Sequence, residues 1–273
     1  MSFSGSVKGD RLATMDKISV VINTYNAEKY LQRVLDSVKG FDEVLICDME
    51  STDATISIAQ KNGCSVVTFP KGKHTIVEPA RDFAIHEAKG PWVLVVDADE
   101  LVTPELKDYL YDRILKPNCP MGIAIPRKNY FMNHFLHSAY PDHIIRFFRQ
   151  DKTHWAPIIH CSPTIDGRVE KIPARRKELA FIHLANDTID DIIQKTDNYI
   201  NYELPRRQHE KYGVCALLGR PLFHFLKSYL LKGGFRDGLP GLIHAMLGAR
   251  YQFLMVARLI MVAKGSGTFA PLF

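Results

Sequence analysis

At 273 residues the chain can form one large domain or a domain with an extension, and 46% hydrophobic with 24% charged residues excludes a disordered or fibrous protein. Its five cysteines (Cys47, Cys64, Cys119, Cys161, Cys215) include no C-x-x-C pair, which argues against a zinc site or a disulfide framework and fits a reducing cytosol. The net charge of +5 hides a gradient from 11 Lys+Arg against 15 Asp+Glu over residues 1–100 to 10 against 3 over 201–273, so an anionic surface is the partner suggested for the C-terminal end, beside a plain solvated basic face.

The first residues, "MSFSGSVKGDRLATMDK", are polar and lack the apolar run of a secretory signal. "ISVVI" (18–22) then reads as a strand, followed by a loop in which Asn26 is placed to cap a helix carrying Tyr30, Leu31, Val34, Leu35 and Val38 on one face. The unit repeats. "EVLICD" is a strand, "STDATISIAQKNG" a capped helix ending at Gly63, "SVVTF" a strand, 78–88 a helix and "WVLVV" a strand. Strands apolar on both faces and alternating with helices predict a parallel sheet covered by helices.

Pro104 suits the first turn of a helix to about Leu115. Between 121 and 183 short pieces ("MGIAI", "HIIRFF", "APIIH", "LAFIHL") read as mixed β structure completing the same domain. "DTIDDIIQKTDNYINYEL" (187–204) has helical spacing with Asp187 or Thr188 as cap. The expected organisation is a tail over 1–16, one α/β domain over 17–205 in two halves (17–115 and 116–205), and a basic helical extension over 206–273.

The chemistry concentrates where "WVLVV" runs into Asp97, Asp99 and Glu100. Ligands of open parallel sheets collect beyond the carboxyl ends of the strands. Residues i and i+2 of an extended chain point the same way, so Asp97 and Asp99 would converge, and two carboxylates brought together call for a cation between them. Mg²⁺ or Mn²⁺ suits such oxygen ligands and is commonly shared with substrate phosphates. Helix capping is the alternative role for these acids.

Three stretches at successive strand ends, "INTYNAEKYL", "ICDMESTDAT" and "EPARDFAIHEAKGPWVLVVDADE", resemble the nucleotide-sugar domain of the inverting family-two glycosyltransferases. The resemblance is close over 17–115 and looser to about 203. It implies an α/β GT-A nucleotide-diphospho-sugar transferase fold with a mostly parallel central sheet. It further implies that Thr24 and Tyr25 lie beside the base and ribose of a UDP-sugar donor, that Asp48 accepts a hydrogen bond from uracil, and that Arg81 stands near base and phosphates. Asp97 would touch ribose or metal and Asp99 would hold the metal, with Glu100 beside them. Where the family carries a further Asp or Gly, this chain has Met49 and Glu50.

The same resemblance makes Asp142, in "AYPDHIIRFFRQ", the candidate general base, with Arg146 following; the family's Glu-Asp pair is here Pro-Asp. His160 and His183 each end an apolar run, where an imidazole can complete a metal site or contact diphosphate, although a satisfied buried histidine is the more frequent arrangement. Lys195 and Tyr199, four apart on a helix, are candidates for acceptor or phosphate contact.

Residues 215–265 interleave Leu, Phe and Met with Arg and Lys. "LIHAMLGARYQFLMVARLIMVA" approaches the length of a membrane span, but His244, Arg250, Gln252 and Arg258 interrupt it, so it reads as an amphipathic helix lying in a membrane interface. Packing on the domain or in a homo-oligomer is the alternative. "KGGFRDGLPGL" and the helix after it resemble bacterial enzymes of lipopolysaccharide-core and envelope glycan synthesis, which implies a saccharide or lipid-linked acceptor at the inner face of the cytoplasmic membrane and no nucleic acid partner.

Two other enzyme classes lack their signatures here. A nucleotidyltransferase would need a glycine-rich basic phosphate loop and a dinucleotide oxidoreductase a G-x-G-x-x-G after its first strand; neither is present. A non-catalytic nucleotide-sugar or membrane-binding module is the third reading.

Overall fold

The computed structural model describes residues 16–72, 77–156, 162–184 and 188–264. They fall into two compact units: one holds the residues up to Lys128 together with Pro141–Leu184, the other holds Asn129–Tyr140 together with the residues after Leu184.

In the first unit β1 (Ile18–Thr24), α1 (Glu28–Ser37), β2 (Glu43–Asp48), α2 (Thr55–Lys61), β3 (Ser65–Thr68), α3 (Glu78–Glu87) and β4 (Trp92–Asp97) alternate as the periodicity predicts. After them come β5 (Glu100–Leu101), α4 (Pro104–Ile114), β6 (Gly122–Ile125) and β7 (Arg127–Lys128). A hairpin, β8 (Tyr130–Phe131) and β9 (His134–Phe135), belongs to the other unit. The chain then returns through β10 (Ile144–Arg149), β11 (Thr153–His154), β12 (Thr164–Ile165), β13 (Val169–Lys171) and β14 (Phe181–His183).

The central sheet runs β13-β6-β10-β4-β1-β2-β3. Only β10 is antiparallel to its neighbours, so the sheet is mostly parallel. Each inner strand is buried on both faces because each face has its own helices. Ile18, Val20 and Ile22 of β1 cluster with Leu31, Val34 and Leu35 of α1 and Leu106 and Leu110 of α4. Val21, Val93 and Val95 cluster on the other face with Ala80, Ala84 and Ile85 of α3. Burying one such aliphatic side chain is worth about 1.5–3 kcal/mol, so these two clusters dominate the stability of the unit. Pro104 opens α4 behind Thr103, whose hydroxyl accepts from the Leu106 amide at 3.2 Å.

Asn26 does not cap α1. The helix starts after Ala27 without a side-chain cap, and Asn26, in left-handed backbone at φ 49°, instead accepts the Thr52 amide at 2.8 Å. It stitches the loop after β1 to the loop after β2, as do the Ala27 amide on Thr55 Oγ1 (2.8 Å) and the Ala54 amide on Glu28 (3.0 Å). The helix α2 has Ala54 at its N-cap position, which offers no side-chain cap, but Asp53 Oδ1 accepts the amide of its first residue, Thr55, at 2.9 Å.

The second unit is helical: α5 (Ile189–Arg207), α6 (Val214–Leu226), a π-helical turn (Lys227–Leu231), a 3₁₀ turn (Gly234–Asp237) and α7 (Gly238–Ala263). Thr188 caps α5 in a reciprocal box with Asp191; Asp187 lies outside the described residues. The expected break at 205 is therefore displaced, since α5 groups with the C-terminal helices and the first unit ends at Leu184. Ile200 and Leu204 of α5 form a small core with Met255 and Leu259 of α7, and Arg250 of α7 pairs with Asp197 of α5 at 3.2 Å. Asp237, buried in the 3₁₀ turn, accepts from His137 Nδ1 at 2.5 Å and ties the hairpin segment to the helices.

Candidate active site

Parallel pairing aligns the carboxyl ends of three strands. In β1 and β2 Thr24 stands opposite Asp48, and in β1 and β4 Asn23 stands opposite Asp97. Asp48 is fully buried and accepts three hydrogen bonds: the Thr24 hydroxyl donates to Oδ1 (2.8 Å), the Ser51 hydroxyl to Oδ1 (2.6 Å) and the Ser51 amide to Oδ2 (2.7 Å). Tyr25 lies outside this network, half exposed, with the Lys71 ammonium 3.6 Å from its ring centroid.

Asp97 and Asp99 do not converge. The chain leaves β4 in a turn at Ala98–Asp99, so the alternation of an extended strand stops at Asp97 and the two carboxylates take different partners. Asp97 is clamped by two buried guanidiniums, Arg81 Nη2 at 2.7 Å on one oxygen and Arg146 Nη2 at 2.6 Å on the other. Burial opposes its charge, yet Arg146 and Arg81 outweigh burial and hold its carboxyl below the usual range. Burial and the repulsion of Arg146 lower Arg81 in turn. The Trp155 ring sits 4.9 Å from the Arg81 guanidinium and 5.6 Å from that of Arg146, which keeps both planes in place.

A small sheet, β5-β14-β7, gathers the rest. Antiparallel pairing sets His183 opposite Glu100, and parallel pairing sets Phe181 opposite Arg127. His183 Nε2 lies 3.3 Å from Asp99 Oδ2. Burial lowers the imidazole pKa, but the bond and charge of Asp99 outweigh it and the net shift is upward. Glu100 is wholly buried, and burial together with the Asp97 charge raises its carboxyl against the pull of Arg146 and Arg127.

Arg127 belongs to no motif, yet it joins Glu100 to Asp142. Its Nη1 donates to Glu100 at 3.1 Å while Nε and Nη2 donate to Asp142 Oδ2 at 2.9 and 2.7 Å. Asp142 adopts left-handed backbone at φ 40°, a conformation that costs a non-glycine residue about 1 kcal/mol or more and recurs at functional sites. The only sequence signal for Arg127 is a cation immediately after the buried strand "GIAI" and Pro126.

The structure thus brings together Arg81, Asp97, Asp99, Glu100, Arg127, Asp142, Arg146 and His183 within the first unit. Lys195 and Tyr199 belong to α5 in the second unit, both on its exposed side. His160 lies outside the described residues.

Among the described residues no group of three or more His, Cys, Asp and Glu side chains is arranged to hold a metal ion. Two donors nevertheless fit one. Ligand atoms at right angles around a Mg²⁺ about 2.1 Å away stand roughly 3 Å apart, and the 3.3 Å between Asp99 and His183 matches such a pair. Asp97 does not fit in this arrangement, because both of its oxygens are held by arginine.

A model of glycosyl transferase family 2 matches residues 19–171, more than half of the chain, from β1 through β13; β14, which carries His183, lies beyond the match. The chain belongs to this family. It is a glycosyltransferase, with the mixed α/β, mostly parallel sheet expected of the GT-A fold and a C-terminal helix. Among curated family relatives it is 26% identical over 257 residues to the lipopolysaccharide core biosynthesis glycosyltransferase LpsC of Rhizobium meliloti, covering 89% of this chain and 91% of that one. It is also 26% identical over 272 residues to an uncharacterized glycosyltransferase of Rickettsia typhi, covering 90% and 87%. Among solved structures, the mannosyltransferase PcManGT of Pyrobaculum calidifontis, in complex with GDP-Man and Mn²⁺, matches at 16% identity and a TM-score of 0.47, over 93% of this chain and 76% of that one.

Proposed function

We propose that this glycosyltransferase is a metal-dependent, inverting hexosyltransferase. It moves a sugar from a UDP-sugar onto a saccharide or lipid-linked saccharide of the bacterial envelope, at the inner face of the cytoplasmic membrane. The observation that carries the reading is the cluster at the carboxyl edge of the sheet, where Asp97, Asp99, Glu100 and Asp142 meet three arginines and His183. The similarity to LpsC, named for lipopolysaccharide core biosynthesis, supports the envelope glycan as acceptor.

In this reading Thr24 and Asp48 close the floor beneath the base, the exposed Tyr25 ring offers it a stacking face, and Arg81 with Asp97 borders ribose and phosphates. Asp99 and His183 are the residues that would hold Mg²⁺ or Mn²⁺. When bound, such an ion supplies a Lewis acid for the departing diphosphate. Asp142 takes the proton of the attacking acceptor hydroxyl, and Arg127 fixes where its carboxylate points. Arg146 and the buried Glu100 set the charge around them.

The test is a panel of nucleotide sugars, with and without Mn²⁺, read by thermal shift on wild type and Asp99→Ala, because a ligand that binds only the folded state raises its stability. Stabilisation by one UDP-sugar that needs metal and is lost in the variant supports the reading. Indifference to every nucleotide sugar refutes it.

A further inference from the structure

The second unit carries an apolar surface that none of the described residues covers. Along α6 and the π-helical turn, Val214, Leu218, Leu222, Leu226 and Leu230 recur every four residues, with Phe223 and Leu231 on the adjoining row. All seven are exposed, Val214, Leu218 and Leu231 by 71%, 70% and 79%. Phe235 and Leu239 in the following turns are 55% and 62% exposed. At about 1.5 Å per residue the stripe is roughly 25 Å long, far beyond a scattered surface leucine.

Its charge is one-sided. Residues 211–273 hold eight Lys and Arg and a single acid, Asp237, which is buried against His137. Lys211, Lys227, Lys232 and Arg236 are all exposed around the stripe. An isologous contact between two copies would set these cations against one another with no carboxylate between them. An anionic bilayer accepts both features, apolar side chains into the acyl boundary and cations at the headgroups.

The longer of the two apolar helices is packed along one side, with Met246, Phe253 and Met261 left exposed. Gly234–Ala263 is long and apolar enough to cross a membrane by length and composition. Within it, however, α7 buries Ala245, Met255, Val256 and Leu259, and its arginines are engaged by α5, Arg250 on Asp197 (3.2 Å) and Arg258 on Asn201 (2.6 Å).

We propose that the α6 face from Val214 to Leu231, continued by Phe235 and Leu239, is the surface that inserts into an anionic lipid leaflet, with α7 as the scaffold behind it. The inference rests on the peripheral-membrane reading above and moves the contact from α7, where the sequence pattern points, to α6.

Co-sedimentation with vesicles of phosphatidylcholine alone, and with about a third phosphatidylglycerol, tests it on four proteins. Wild type should bind the anionic vesicles at least tenfold more tightly than the neutral ones. L222D/F223D should lose at least tenfold in binding to the anionic vesicles, K227Q/K232Q/R236Q should lose the preference for anionic lipid, and Met261→Asp on the exposed side of α7 should behave as wild type. Far-UV circular dichroism and Tm verify that each variant is folded. Unchanged binding by folded L222D/F223D overturns the assignment to α6 while the peripheral reading stands. If wild type binds neither vesicle, both fall, and retained UDP-sugar-dependent stabilisation would leave the donor reading intact. If L222D/F223D instead converts a dimer to monomer in solution, the face is a self-association surface and the proposal fails.

Discussion

His183 and Asp99 are 84 positions apart, and their side chains stand 3.3 Å from one another because β14 pairs antiparallel with β5. In the proposed reading these two residues hold the divalent ion. His183→Ala should therefore abolish Mn²⁺-dependent stabilisation by the donor as Asp99→Ala does, with a metal-free Tm close to wild type. Isothermal titration with MnCl₂ in the presence of UDP reads this directly, and unchanged Mn²⁺ affinity in both variants would count against the pair as ligands.

Asp142→Asn should lower kcat by roughly 10²–10⁴-fold with little change in donor affinity, the signature of a lost proton acceptor. Asparagine tolerates left-handed backbone, so the φ of 40° is no obstacle to the variant's folding. Product release assayed with acceptor, alongside the donor-dependent thermal shift, separates catalysis from binding.

Removing Asp97 strands two buried guanidiniums, and breaking such a pair costs about 3–5 kcal/mol. Asp97→Ala should lower stability by that order in urea unfolding at neutral pH. Its folded pKa is depressed below the ordinary 3.8, so the stabilisation is present above about pH 4 and disappears as pH falls through the lower folded value. Unfolding curves between pH 5 and pH 2.5 should show a shallower acid limb for Asp97→Asn than for wild type.

Gly241 leaves no room for a methyl group. A Cβ there would lie 2.0 Å from the Gly234 carbonyl oxygen and 2.7 Å from Asp237 Cβ. Because the first of these is backbone, Gly241→Ala should cost about 1–3 kcal/mol by overpacking, seen as a fall in Tm of several degrees. Gly63→Ala meets nothing in space, and its cost comes from the left-handed φ of 72° alone.

The α/β half of this protein follows from its amino-acid pattern alone. The pattern of β1 through β4 is legible because each strand is apolar on both faces and each helix on one, and such periodicity is local. The acids of "DADE" and Asp48 stand at the ends of recognisable strands, while Arg81 and Asp142 stand out only through the family resemblance of the stretches that hold them. Tertiary structure decided how they are used. That Asp97 faces Arg81 and Arg146 while Asp99 faces His183 depends on one turn at Ala98, which strand alternation does not reveal. Arg127 reaches Glu100 because β14 lies between β5 and β7, a pairing set by residues more than fifty positions apart, and reaches Asp142 because the antiparallel pairing of β6 with β10 continues to the Arg127 amide on the Pro141 carbonyl at 2.9 Å. The C-terminal helices show the same limit, for α6 and α7 are both apolar. Which side of each is covered depends on α5, which contributes Asp197 and Asn201 to α7 and leaves Leu218 and Leu222 of α6 to solvent.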